Sequence, residues 1–383
     1  LNVSAHSEFE YDALYQLKSA KGRVHQALLQ NDHRDRSREN GVPANWAKGT
    51  RHIGLNNGAA VERYTREYDY DIAGNIKTIK HIGSSQNWTN PIWTSPASNR
   101  SLPLTDLNGN AVTHPETRFD KNGNCTYMPH VRSIEWNYRN NISKAVVIDR
   151  SIQGKPDDVE YYVYGGDGIR VRKITQRLVD SINDTIELVE KIYLDGCEIK
   201  RITRGGQEIL KRFTSHISDG TNNIALIHAW ENDTLARETD NITNKKIHYQ
   251  LTDHLGSAAL ELDEAGDVIT YEEYFPFGGS SFIAGKNKRD IALKDYRYSG
   301  KERDDFTGLY YFGYRYYAHW IGGWFSPDPI GPEDSENLYL YVHNNPINLV
   351  DPNGLDSKRK KKILESLRYI PKYQGNDLSL IHI

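Results

Sequence analysis

The chain has 383 residues, with 48 basic and 51 acidic side chains and a formal charge of −3. That balance excludes a global electrostatic pull toward nucleic acid or anionic lipid. With 25 Tyr and 7 Trp against one Met, and 37% hydrophobic residues, the composition favours strands over a compact helical enzyme.

The length allows one large or two ordinary domains. No apolar run is long enough to span a bilayer, and no cleavable signal is visible. Because the chain starts at Leu1 rather than Met, its natural beginning is expected upstream. Cys125 and Cys197 lack CxxC neighbours, so they read as two buried free thiols rather than a zinc site or a disulfide framework.

From the N-terminus, one phrase recurs: an aromatic, often with Asp, then a turn dipeptide, then alternating apolar and polar positions. It runs through Tyr11-Asp12-Ala13-Leu14-Tyr15-Gln16-Leu17 and, most clearly, Tyr68-Asp69-Tyr70-Asp71-Ile72-Ala73-Gly74-Asn75. Phe119-Asp120-Lys121-Asn122-Gly123-Asn124 repeats it, and Trp136 to Ile142 and Tyr162 to Arg172 are looser copies. Gly-Asn, Asn-Gly and Asp-Gly supply the positive φ of tight hairpins, and the flanking alternation gives each strand two unlike faces. Single hairpins are marginal, so neighbours must associate to bury a face. An ordinary β-sandwich with Tyr-rich strands is the competing architecture. Residues 24–60 and 84–115 fit the phrase poorly, and the Asn/Pro/Ser-rich stretch Gln86–Pro103 reads as an excursion or loop.

The phrase resembles the YD repeat of RHS proteins. That resemblance implies an all-β fold, an array of antiparallel β-hairpins coiling into part of a hollow shell over residues 1–248. Between 249 and 355 the likeness is denser. Tyr249 to Ser257, with its Asp253-His254-Leu255-Gly256-Ser257, resembles the opening of the RHS repeat-associated core. Tyr271 to Gly278, Tyr298 to Asp304, Thr307 to Tyr317, Gly323 to Gly331, Asn337 to Tyr339, Asn344-Asn345-Pro346 and Asp351 to Leu355 follow in the family's order. The wording is similar to the C subunit of bacterial insecticidal toxin complexes. Two departures stand out. Ile321-Gly322-Gly323-Trp324 lacks a basic residue usual there, and Asn353 stands where Asp is frequent.

In that family the core acts as an aspartyl-type autoprotease. Carried over residue by residue, the resemblance places the paired acids on Asp328 and Asp351, the Arg on Arg315, and the cleaved bond between Leu355 and Asp356. Two carboxylates brought together cannot both ionise cheaply, which suits general acid–base work on a peptide. The residues alone leave a plainer reading open, since Asp before Pro commonly opens a turn and Arg in a Tyr-rich strand commonly stacks on aromatics. Tyr310, Tyr311, Tyr314, Tyr316 and Tyr317 read as packing residues. No dinucleotide, Walker A, HExxH or GxSxG signature occurs. No cofactor and no metal site is expected, and His248 and His254 read as surface or turn residues.

Past Leu355 the style changes. Residues 356–377 carry the basic run Lys358 to Lys362 and a spacing over Ile363 to Ile370 that predicts a short amphipathic helix. Seven basic side chains face three acidic ones after Leu355. This stretch reads as the start of a variable C-terminal effector or, equally, as a solvated helix face. Residues 378–383 read as the translation of a transposase sequencing adapter, so the natural sequence is expected to end near Asp377.

The expected function is a carrier whose shell encloses a toxic C-terminal domain and frees it by one cut after Leu355. The expected partners are a B-type RHS shell subunit and a translocation pore, with the chain's own C-terminal effector as cargo. No nucleic acid is expected through the shell, and no membrane span. The expected location is secreted or on the bacterial cell surface. The alternative is a non-cleaving or contact-dependent surface protein used for attachment or interbacterial delivery.

Overall fold

A computed structural model describes residues 3–29, 38–39, 42–43, 60–105, 110–128, 130–220, 223–234, 245–286 and 288–359. The recurring phrase is a hairpin turn closed by its own acid. Asp71 Oδ1 accepts the backbone N–H groups of Ala73 and Asn75, both at 2.9 Å, and Asp120 Oδ1 accepts those of Asn122 and Asn124 at 2.9 Å. Asp12 and Asn137 do the same in the looser copies. So does Asp253 in the core, toward Leu255 and Ser257. A short carboxylate or amide oxygen two residues before the N–H it caps holds the chain in the turn.

Among the described residues these hairpins assemble into two large antiparallel sheets, each in sequence order, the first interrupted by the separate hairpin of Arg38–Glu39 and Val42–Pro43. The first has six strands, from Glu8–Tyr11 through Leu17–His25, Val61–Tyr70, Ile76–Gly83 and Asn87–Thr94 to Ser101–Pro103. The second has twelve, from Ser133–Trp136 to Ser280–Gly285. Its strand Lys245–Thr252 crosses the 248/249 boundary, so the sheet continues into the core region. Gln86–Pro103 is not a loop. Asn87–Thr94 pairs with Ile76–Gly83 on one side and Ser101–Pro103 on the other. Pro91 is tolerated because its carbonyl, not a donor, is what the neighbouring Leu104 N–H needs.

The first sheet curls back onto the end of the second. Arg23 in Leu17–His25 donates through Nε to both carboxylate oxygens of Glu273, at 2.9 and 3.1 Å. Leu28, Ile283 and Ile291 pack together beside this closure. The result is a β-rich, shell-like wall around an aromatic centre. Tyr298, Tyr310, Phe312, Tyr317, Trp324 and Tyr341 pack ring on ring there, down to 4.1 Å between Tyr317 and Tyr341. Leu17, Tyr68 and Ile79 reach the same core from the first sheet, and Ile134, Ile142 and Tyr162 from the second.

The twelve-stranded sheet turns an unusual face inward. Lys173, Lys191, Lys200 and Arg212 are successive register partners across four strands. Like charges directly opposite are destabilising unless countered. The counter-charge comes from the segment that docks on them. Arg170 reaches Asp304 Oδ2 at 2.7 Å and Glu302 Oε2 at 2.5 Å. Lys173 reaches Glu302 at 3.0 Å. Lys191 meets Asp295 at 3.1 Å, Glu302 at 3.0 Å and Glu198 at 2.8 Å.

His248 is not a surface residue: it is fully buried, 3.5 Å from Glu261 and 4.0 Å from Asp290. Its strand points this side toward the helix Lys288–Leu293, which brings Asp290. His254 does lie in a turn, with Nε2 2.7 Å from the Ile347 carbonyl. Both cysteines are free, Cys125 buried and Cys197 only half-buried. Burial pushes the Cys125 thiol up to about 12. Lys358–Arg359 forms a strand with Leu349–Val350. The expected helix over Ile363 to Ile370 and the 378–383 segment lie outside the described residues.

Candidate functional site

The site forms where two tight turns press together. The first, Phe312 to Arg315, is closed by the Phe312 N–H on the Arg315 carbonyl at 3.1 Å. The second opens at Asp351, whose Oδ1 accepts the N–H groups of Asn353 (3.2 Å), Gly354 (2.7 Å) and Leu355 (3.1 Å). Their contact needs glycine on both sides. A Cβ on Gly313, at φ 113°, would stand 3.0 Å from the Asn353 carbonyl oxygen, and one on Gly354, at φ 86°, would stand 3.0 Å from the Arg315 nitrogen. With both present, the Tyr314 N–H donates to the Asn353 carbonyl at 3.0 Å.

Arg315 is the hub. Its Nη1 lies 2.8 Å from Asp328 Oδ2 and its Nη2 3.2 Å from Asp351 Oδ2. Its Nε donates to the Gly354 carbonyl at 2.6 Å. The guanidinium also lies over the Trp324 ring at 4.0 Å, so stacking and ion pairing occur together. Asp328 opens the turn that its place before Pro329 suggested, with Oδ1 accepting the Ile330 N–H at 3.1 Å. The side chains of Arg315, Asp328 and Asp351 are 2%, 6% and 2% exposed, so water screens this trio little.

Two carboxylates against one guanidinium leave one surplus negative charge in a buried place. Burial raises Asp328 above the usual carboxylate range; Arg315 opposes this and the Asp351 charge adds to it. Burial likewise raises Asp351, against Arg315 and the three backbone N–H groups. Burial pulls Arg315 down although both acids push it up. Both carboxyls are thus raised while they share one guanidinium through separate nitrogens, an arrangement in which ionising both costs more than ionising one.

Leu355 and Asp356 sit in the loop of a hairpin. Its stem pairs Leu349 with Arg359 and Val350 with Lys358. The chain is held just before the Leu355–Asp356 peptide by Arg315 and Asp351, and just after it by Ser357, whose Oγ donates to Asp334 Oδ2 at 2.9 Å. Asp334 also faces His343, Oδ1 to Nε2 3.2 Å. Sequence reasoning did not single out Asp334, His343 or Ser357; an acid in the run Glu333 to Glu336 reads as solvated loop. Tyr310, Tyr316 and Tyr317 are buried, whereas Tyr314 is 37% exposed and contributes its backbone.

No family model matches the chain. It is 33% identical over 356 residues to toxin subunit YenC1 of Yersinia entomophaga, a match covering 92% of this chain and 34% of that protein. The solved TcdB2-TccC3 structure superposes with a TM-score of 0.78 at 34% identity, over 91% of this chain and 16% of that one. A Tc holotoxin pore from Photorhabdus luminescens superposes with a TM-score of 0.77 at 33% identity, over 92% of this chain and 15% of that one. The chain spans about a third of the length of the curated toxin subunits it matches.

Proposed function

Because the chain is toxin-complex C-subunit-like over 92% of its length, we propose that it is the carrier portion of such a subunit: a shell segment that encloses a C-terminal effector, with a core that cuts its own chain once, after Leu355. On this reading residues 1–248 are wall, 249–355 are the self-cleaving core, and residues after 355 begin the cargo. The partners are a B-type shell subunit and a translocation pore, and the protein works outside the producing cell or on its surface. Among the described residues no helix is long and apolar enough to cross a membrane.

The observation that carries this reading is that the residues just upstream of the Leu355–Asp356 bond are held by the trio. The Gly354 carbonyl is bound to the same guanidinium that holds Asp328 and Asp351. The ionised carboxylate takes a proton from water as the water oxygen bonds to the Leu355 carbonyl carbon. The protonated carboxyl gives its proton to the carbonyl oxygen. In the second step the diol returns that proton, the first acid protonates the Asp356 nitrogen, and the C–N bond breaks. One water is consumed, Leu355 gains a carboxyl, Asp356 gains an amine, and both side chains return to their starting states. Arg315 contributes charge and orientation and never gives up a proton.

The test compares wild type with Asp328→Asn at neutral pH, by gel and by intact mass. Wild type should split between Leu355 and Asp356, and the variant should stay whole. Equal cleavage of both, or cuts at Asp328–Pro329 or Asp351–Pro352 in both, defeats the proposal.

A further inference from the structure

We propose that Asp334, His343 and Ser357 form a clamp on the departing side of the Leu355–Asp356 peptide, making Asp334 a positioning residue for the self-cleavage read above, on which this inference rests. A peptide is attacked efficiently only when it is held at a fixed angle to the attacking groups, and two points of restraint are needed to fix a short segment. The upstream point is supplied by Arg315 on the Gly354 carbonyl and by Asp351 on the Leu355 N–H. Downstream, the side chain of Ser357, two residues past Leu355, is held by Asp334 Oδ2 at 2.9 Å. The bond to be cut therefore lies between two anchors.

The anchor itself is built. Asp334 has two oxygens with separate tasks, Oδ2 for Ser357 and Oδ1 for His343 at 3.2 Å. His343 is the middle of three consecutive non-glycine residues in the left-handed region, Val342 (φ 42°), His343 (φ 50°) and Asn344 (φ 56°). L residues rarely adopt that conformation, and a β-branched residue least of all. The turn is held because Val342 is buried in the aromatic core and Asn344 donates to the Gly74 carbonyl at 2.7 Å. Its exposed product is a histidine aimed at Asp334. Asp334 also adds negative charge near Asp328 and Arg315, so it joins the clamp to the acids.

The competing explanation is an incidental surface pair. The His343 and Asp334 side chains are 44% and 20% exposed, and pairs so wetted contribute little to stability. The two explanations therefore separate by what they move. A clamp changes the rate of the cut and not the melting temperature.

The full 383-residue chain is made in a cell-free system, translation is stopped, and conversion of intact chain to fragments is timed. Ser357→Ala should slow the cut about tenfold, because one of the two restraints that align the peptide for attack is lost. Ser357→Thr, which keeps the hydroxyl, should restore most of the rate. Asp334→Ala should be at least as slow as Ser357→Ala, and the double variant no slower than Asp334→Ala alone. Melting temperatures should match wild type, and His343→Ala offers a second entry should Asp334→Ala fail to fold. Wild-type cleavage with an unchanged rate in Ser357→Ala overturns the clamp and leaves self-cleavage standing. A wild-type chain that never splits overturns the underlying reading instead.

Discussion

Replacing Arg315 by Lys asks whether the guanidinium is needed for its shape or only for its charge. Arg315 serves Asp328, Asp351 and the Gly354 carbonyl from three different nitrogens, at 2.8, 3.2 and 2.6 Å. A lysine ammonium is a single point on a flexible stem and cannot span that fork. It would keep one or both ion pairs and lose the Nε contact to Gly354. A hydrogen bond from a charged donor contributes roughly 1.5–3 kcal/mol, and the part of it gained only in the transition state sets the rate loss, about 10- to 100-fold if that is most of it. The burial that pulls Arg315 down would act harder on an amine that starts with a lower pKa, so partial neutralisation adds to the loss. The assay is the timed conversion of intact chain at neutral pH, with a thermal melt to confirm folding. A folded Arg315→Lys chain that cuts within about twofold of wild type would refute the idea that this geometry orients the peptide.

Two further perturbations address what holds the core in place. Arg170→Met removes a fully buried cation from Glu302 and Asp304; breaking such a pair costs about 3–5 kcal/mol. The low end is expected because Lys173 and Lys191 remain beside Glu302, and an unchanged denaturant midpoint would contradict this. Acid should also loosen the fold. Burial alone would raise Glu261 and Glu272, yet their partners hold both at about 2. For Glu261 these are His248, Lys294 and Thr270, and for Glu272 chiefly Arg297 and Lys294. Each thus binds its proton less readily folded than unfolded, so its contribution of about 3 kcal/mol is present above pH 4.5 and is lost as pH falls toward 2. Asp328 and Asp351 have the opposite sign, since their raised values favour folding at low pH and cost stability once ionised. Urea midpoints should nonetheless fall between pH 6 and pH 3, because the buried acids held low, Asp295 and Glu302 among them, outnumber this pair; a flat profile would show that the buried ion pairs contribute nothing.

The hairpin turns were legible because their chemistry is local. An Asp or Asn capping the N–H groups two and four residues on, with glycine near by, needs no knowledge of the rest of the chain. Asp328 and Asp351 were legible as turn openers for the same reason, and as a possible pair only through the likeness to a known core. Their meeting depends on Gly313 and Gly354 lying face to face from segments some forty residues apart, which no local pattern displays. Gln86–Pro103 misled because Pro and Asn are depleted in strands, although one carbonyl-only position is compatible with the ladder. His248 misled because its strand's inward face carries polar rather than apolar residues, so alternation gave no sign of which side was buried.

That inward polarity explains how a chain with so little apolar content fixes its core. Lys173, Lys191, Lys200 and Arg212 stand in a row that no isolated sheet would tolerate. Lys200 shows the tension: Asp295 pulls its pKa up, but burial with Arg212 and Lys191 together brings it down. The acids that relieve the row, Asp295, Glu302 and Asp304, all lie in the segment leading into Tyr310 to Tyr317. A docked pair of opposite charges has a fixed address, whereas apolar surfaces slide, so this segment can seat in one register only. Arg315 follows it by eleven residues after Asp304. The position of Arg315 against Asp328 and Asp351 is therefore set from the wall side by charge and from the centre by aromatic packing. Damage to either should appear at the Gly354 carbonyl, well away from the damage itself.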